Sequence, residues 1–302
     1  MLEILTRAGC FILIIILGNF MRRVGVFKAE DFTVLSKLVI RVTLPAAIIT
    51  SFAGKEIDPS MLALVLVGLG SGILYIALGF LLNVRGTRER RVFEIINLPG
   101  YNIGNFTLPF AQSFLGSTGV IVTSLFDTGN AMIALGGAYG MASLAKDGGK
   151  FSLKPIGKAL LRSVPFLTYI IMVTTSLAHI PIPGLVVSCA QTIANGNAFL
   201  AMFMIGVGFN LSGDRSQIGI ILRVLAVRYA VSVVLGLLCY FCLPFALEIR
   251  QTLVILVFSP VSTVVPAFTG ELGGDVGLSS AINSLSIVIS IVSIVTLLTV
   301  ML

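Results

Sequence analysis

Long apolar runs separated by short polar connections fill almost the whole chain. A helix that crosses a bilayer needs about 20 mostly apolar residues. Ten segments meet that length: 4–21, 32–53, 60–83, 92–114, 117–145, 160–179, 184–211, 217–243, 250–272 and 276–301. The one polar stretch long enough to be a linker is Lys146-Asp-Gly-Gly-Lys-Phe-Ser-Leu-Lys-Pro155. It divides the chain into five segments and five. The expected units are a first five-helix repeat over 1–146, a cytoplasmic linker over 147–159, and a second repeat over 160–302.

Two segments, in corresponding positions of the two halves, are not smooth. The fourth holds Asn97-Leu-Pro-Gly-Tyr-Asn-Ile-Gly-Asn-Phe-Thr-Leu-Pro109, and the ninth holds Ser259-Pro-Val-Ser-Thr-Val-Val-Pro266. Each carries two prolines among amides or hydroxyls. Proline removes a backbone donor and clashes with the preceding turn. In lipid, irregular backbone survives only where protein or a water-filled cavity covers it. One interrupted helix per half points to the binding site of a secondary transporter.

Charge gives these segments a direction. Fourteen of the 20 basic residues fall in the odd-numbered connections: Arg22, Arg23, Lys28; Arg85, Arg88, Arg90, Arg91; Lys146, Lys150, Lys154, Lys158, Arg162; Arg215 and Arg223. By the positive-inside rule these connections face the cytoplasm and both termini face outward. Five segments per half force the halves to be inverted. Segment four then runs outward and segment nine inward, and their broken centres meet near the midplane about a pseudo-two-fold axis. The expected fold is an all-α membrane protein: ten transmembrane helices as two inverted five-helix repeats, with crossover helices four and nine.

Composition agrees. The chain is 57% hydrophobic and 11% charged, against about 25% charged in soluble domains. Its net charge of +7 reads as loop lysine and arginine, because no basic run is interleaved with exposed aromatics as on a nucleic-acid surface. Cys10, Cys189, Cys239 and Cys242 lie in apolar stretches and read as small hydrophobes. His179 is the only histidine, so neither metal nor cofactor is expected. Residues 1–18 are as apolar as a signal peptide but lack a small-residue cleavage site, and read as the first retained helix.

The segment Asn102-Ile-Gly-Asn-Phe-Thr-Leu-Pro109 resembles the Asn-x-Gly-x-x-x-x-Pro signature of the auxin efflux carrier family, which includes plant auxin exporters and bacterial permeases for malate and malonate. Val42-Thr-Leu-Pro-Ala46 is similar to the family's second-segment motif, departing at Arg41, where asparagine is usual. Pro260 and Pro266 resemble its second crossover. The resemblance follows the chain in order. It implies two inverted repeats, a scaffold part and a transport part, with helices four and nine crossing at the site. The short central loop is closer to the bacterial permeases.

Asn102 and Asn105 are three apart and share a helix face. Their amides either donate to a carboxylate or satisfy backbone groups freed by Pro99 and Pro109. Pro109 and Pro260 shape the breaks. Ser259, Ser262 and Thr263 flank Pro260. If a helix restarts there, its free N–H groups form an anion site; otherwise the hydroxyls bond nearby carbonyls. Asp127 lies about ten residues into segment five, and an acid at that depth is a functional candidate. It reads as a proton carrier, as a partner of Arg228 in segment eight, or as a polar contact with the crossover. Asn130 follows one turn on and faces the same cavity. Lys37 and Arg41 snorkel to the interface, or form a positive lining. Glu94 reads as an interfacial salt-bridge partner. Gly68, Gly70, Gly72, Gly136, Gly137 and Gly140 read as close helix packing.

The expected function is secondary active transport of a small organic anion, a carboxylate, across the cell (inner) membrane by alternating access at the crossover. Gly-x-x-x-x-Gly-Lys-Ser/Thr is absent, so the chain does not hydrolyse nucleotide itself. A sodium-coupled symporter of similar crossover fold is the nearest rival, and a channel the next. An intramembrane enzyme would need clustered acids, histidines or a nucleophile with its base, and no enzyme is expected. The expected partners are the lipid bilayer, the organic anion, a coupling proton or sodium ion, and a second copy in a homodimer, with no nucleic acid.

Overall fold

The computed structural model describes residues 2–148, 151–209 and 217–301, and all its regular elements are helical. Lys150 and Arg215, counted above for orientation, lie outside the described residues, as does the connection 210–216. Among the described residues, seven helices are long and apolar enough to cross a membrane, or eight if the bent pair Leu153–Leu160 and Val164–Leu177 is one span.

The elements, in order, are α1 (Leu2–Arg23), α2 (Asp31–Phe52), α3 (Pro59–Leu81), α4 (Arg88–Asn97), α5 (103–115), α6 (Gly116–Met132), α7 (Ala138–Asp147), α8 (Leu153–Leu160), α9 (Val164–Leu177), α10 (Gly184–Ala194), α11 (Asn197–Gly208), α12 (Ile218–Phe241), α13 (Leu247–Val257), α14 (Val265–Glu271) and α15 (Val276–Met301). The fourth segment is thus α4 and α5 around a break at 98–102. The ninth is α13 and α14 around a break at 258–264.

Proline chemistry explains where the ladders widen. Thr43-Leu-Pro45 and Thr107-Leu-Pro109 are the same tripeptide, and each ends a π-helical turn, Val39–Thr43 and Ile103–Thr107. Proline supplies no N–H and crowds the carbonyl four residues back. The residue before it therefore reaches one residue further: Leu44 donates to Val39, and Leu108 to Ile103. Two further π-helical turns carry no proline: Ala111–Leu115 ends α5, and Ile133–Gly137 joins α6 to α7.

Glycine lets two helix pairs touch at the backbone. A Cβ on Gly68 of α3 would stand 2.0 Å from the Phe126 carbonyl oxygen, and one on Gly129 of α6 would stand 2.0 Å from that of Val65. Gly18 of α1 and Gly206 of α11 form the same reciprocal pair. Small residues at such crossings are how helices pack where lipid supplies no hydrophobic drive between them. Of the glycines read as packing residues, Gly70 meets nothing within 4 Å.

Basic residues gather at one end of the bundle. Arg88 donates to Ala145 O, Lys146 to Leu272 O, Arg223 to Leu82 O and Arg91 to Asn83 and Val84. Glu94, 1% exposed, accepts from Asn83 and Arg90 there and forms an ion pair with Arg223 at 3.4 Å. Glu56 and exposed His179, 3.5 Å apart, join the second and sixth connections. Cys239 is buried, while Cys10, Cys189 and Cys242 are exposed.

Candidate functional site

The two breaks lie against each other. Tyr101 and Val261 form an antiparallel bridge, in which Asn102 N donates to Pro260 O at 2.9 Å and Ser262 N to Gly100 O at 3.2 Å. Gly100, at φ 78°, makes the turn that brings this strand-like piece back on itself.

Neighbouring helices satisfy the remaining backbone groups. Asn130 of α6 acts as a substitute strand: its Oδ1 accepts from Tyr101 N and its Nδ2 donates to Tyr101 O. On the other break, Asn283 of α15 donates to Val261 O and Ser262 O, and Ser286 accepts from Val261 N. Arg228, fully buried on α12, spans both breaks, donating to Leu98 O, Gly100 O, Ser259 O and Pro260 O. Its guanidinium lies 5.3 Å from the Tyr75 ring centroid and 5.0 Å from that of Tyr101. A buried cation without a carboxylate is costly; here four carbonyl dipoles and two aromatic faces take its place.

A cavity of about 130 Å³ opens beside this bridge. It brings together six of the residues picked from the sequence: Asn102, Asn105, Asp127, Asn130, Ser262 and Thr263. Two of them carry orphaned polar atoms. Asn102, 4% exposed, has no partner for its Nδ2, and Asn105, 5% exposed, has none for its Oδ1. Buried amides are normally satisfied, so these atoms mark a place built for a ligand or water. Ile103, Gly104 and Asn105, the first turn of α5, line the same cavity. A first turn leaves its N–H groups without intrahelical partners and carries the positive end of the helix dipole.

Three sequence picks serve the scaffold of the breaks and do not line the cavity. Ser259 lies 2.5 Å from Thr107 Oγ1 and donates to Leu256 O. Pro260 supplies a carbonyl to the bridge and to Arg228, and Pro109 is buried behind the turn it shapes.

The structure corrects two expectations. The helix does not restart at Pro260 but at Val265, and the Ser262 N–H is taken by Gly100 O, so that N–H is not free for an anion. Asp127 does not pair with Arg228. Its carboxylate accepts from Asn130 Nδ2 at 2.8 Å and from Tyr169 Oη at 2.9 Å, while Arg228 is spent on carbonyls. Lys37 and Arg41 are exposed and do not line the cavity.

Sequence reasoning missed Tyr169 and Asn283. Both stand among other small polar residues of apolar segments, so neither stands out from its neighbours in the sequence. Arg228 was weighed only as an ion-pair partner, because nothing in a sequence shows which carbonyls a broken helix will leave exposed.

Irregular backbone satisfied deep inside an apolar helical bundle, next to a polar cavity, defines a polytopic membrane transport protein. Residues 10–155 match the sequence model of a family described as membrane transport protein. That stretch holds both Thr-Leu-Pro motifs and the whole of the first break, and the match supports the resemblance to the auxin efflux carrier family. A search of curated proteins finds no match.

Proposed function

We propose that the protein is a secondary active transporter of a small organic anion, a carboxylate, that binds in the crossover cavity and moves by alternating access. The observation that carries this reading is the buried Asn102 Nδ2, a donor without a protein partner, beside the first turn of α5. An amide donor and a helix N-terminus together suit a carboxylate. The small volume suits an anion of few heavy atoms.

The reading includes ten transmembrane helices in two inverted repeats, with both termini extracytoplasmic in the cell (inner) membrane. Paired roles in the two halves support it. Tyr101 matches Val261, and Asn130 of the fifth segment matches Asn283 of the tenth, each asparagine holding its own half's break. Asp127 is the coupling group in this proposal. Tyr169 joins it to the sixth segment, so a proton taken up or released at Asp127 alters the grip between two parts that must move.

Proteoliposome uptake of labelled mono- and dicarboxylates, under imposed pH or sodium gradients, tests the reading. We expect uptake of a small carboxylate that responds to the pH gradient. Response to sodium alone would favour the symporter alternative. Uptake of none of the panel would remove the carboxylate assignment.

A further inference from the structure

A second cavity lies on the far side of the kinked fifth segment and takes no part in the crossover. It is an apolar groove of about 510 Å³, with no charged side chain in its wall. Ile73 of α3, Ile133 and Gly137 of the kink, and Ile156, Gly157 and Leu160 of α8 form it. The kink has two faces: Ala134 and Leu135 line the crossover cavity, while Ile133 and Gly137 line the groove.

The short helix α8 is bent 76° from α9. Its apolar positions 153, 156, 157 and 160 recur with helical spacing and face the groove. Lys154 and Lys158, four apart and both exposed, occupy the flank beside that face, and exposed Arg162 follows. The sequence has no acidic residue between Asp147 and Asp214. A helix with one apolar face and lysines on the other lies in the headgroup plane of a bilayer and attracts anionic lipid.

We propose that this groove binds one anionic phospholipid, its acyl chain between α3, the kink and α8, and its phosphate against Lys154 and Lys158. The groove supplies room for a chain and no polar partner. The flank supplies two cations and no counter-charge on the same helix. A phospholipid with a negative headgroup matches both.

Native mass spectrometry on the full-length protein in detergent tests this, with phosphatidylglycerol and phosphatidylcholine of identical chains as probes. Each lysine near an anionic headgroup is worth about a fivefold change in affinity. We expect phosphatidylglycerol to bind about 25-fold tighter than phosphatidylcholine, and the double variant Lys154→Gln, Lys158→Gln to erase that preference while leaving phosphatidylcholine binding unchanged. Gly157→Leu should weaken both lipids, because a Cβ at Gly157 meets nothing within 4 Å and the new side chain fills the groove without a clash. Unchanged melting temperatures establish that the variants are folded. Soluble glycerol 3-phosphate should not displace the lipid. Equal binding of the two lipids, a preference that survives the lysine changes, or displacement by glycerol 3-phosphate would each overturn the proposal.

Discussion

Asn102 and Arg228 are both buried polar side chains at the crossover, and they predict opposite phenotypes. Asn102 leaves its donor unused by the protein, so removing it should cost ligand binding and little stability. A hydrogen bond to a charged group is worth about 1.5–3 kcal/mol. Asn102→Ala should weaken carboxylate binding about 10- to 150-fold in calorimetry at unchanged expression, and binding within twofold of wild type would remove Asn102 from the site. Arg228 commits both its terminal nitrogens to backbone carbonyls. Arg228→Gln strips Leu98 O and Ser259 O of a donor, and each unmatched buried acceptor costs about 1–3 kcal/mol. A lowered melting temperature in detergent is expected. Because Asp127 is bonded to Tyr169 and Asn130 instead, Asp127→Asn should fold well, keep substrate exchange and lose the response to a pH gradient. The double variant should melt no higher than Arg228→Gln alone. A rescue by the double change would restore the ion pair that the geometry argues against.

At the scale of elements, packing depends on backbone contact between α3 and α6. Gly129 has no room for any side chain, with the Val65 carbonyl oxygen 2.0 Å from where its Cβ would lie. Gly129→Val should therefore leave little monodisperse protein in size-exclusion chromatography, whereas Gly70→Val, where the surroundings are open, should elute as wild type. A Gly129→Val protein of normal yield would mean that the two helices can separate without loss. The same elements show how far the sequence could be read. The breaks in segments four and nine were legible because two prolines among amides or hydroxyls leave several backbone groups without helical partners. Their antiparallel pairing was not, because Gly100 O and Pro260 O are backbone atoms common to every residue. The cavity residues 102, 105, 127 and 130 were legible as polar groups out of place in apolar helices. The restart at Val265 was not read, although Pro266 stands in the first turn of α14, where a helix tolerates proline.

For the molecule as a whole, the proposed inverted arrangement makes a claim about sidedness that no single helix carries. If ten segments cross, the connection holding Glu56 and the connection holding Asp147 must lie on opposite faces of the membrane. The structure already groups the ends in that sense. Glu56 reaches His179, and Ser176 donates to Lys55 O, tying the second and sixth connections. Arg88 reaches Ala145 and Lys146 reaches Leu272, tying the third, fifth and ninth. Basic residues concentrate at that second end, and positive charge is retained on the cytoplasmic side. Cysteine scanning decides it. In a protein with Cys10, Cys189, Cys239 and Cys242 replaced, Glu56→Cys should react with an impermeant maleimide on intact cells. Asp147→Cys, also exposed, should react only after permeabilisation. Labelling of both from outside would mean an even number of crossings between them, and the two breaks could not then be related by inversion. The antiparallel bridge of Tyr101 and Val261 would need another origin, and the shared roles of Asn130 and Asn283 would be coincidence of packing.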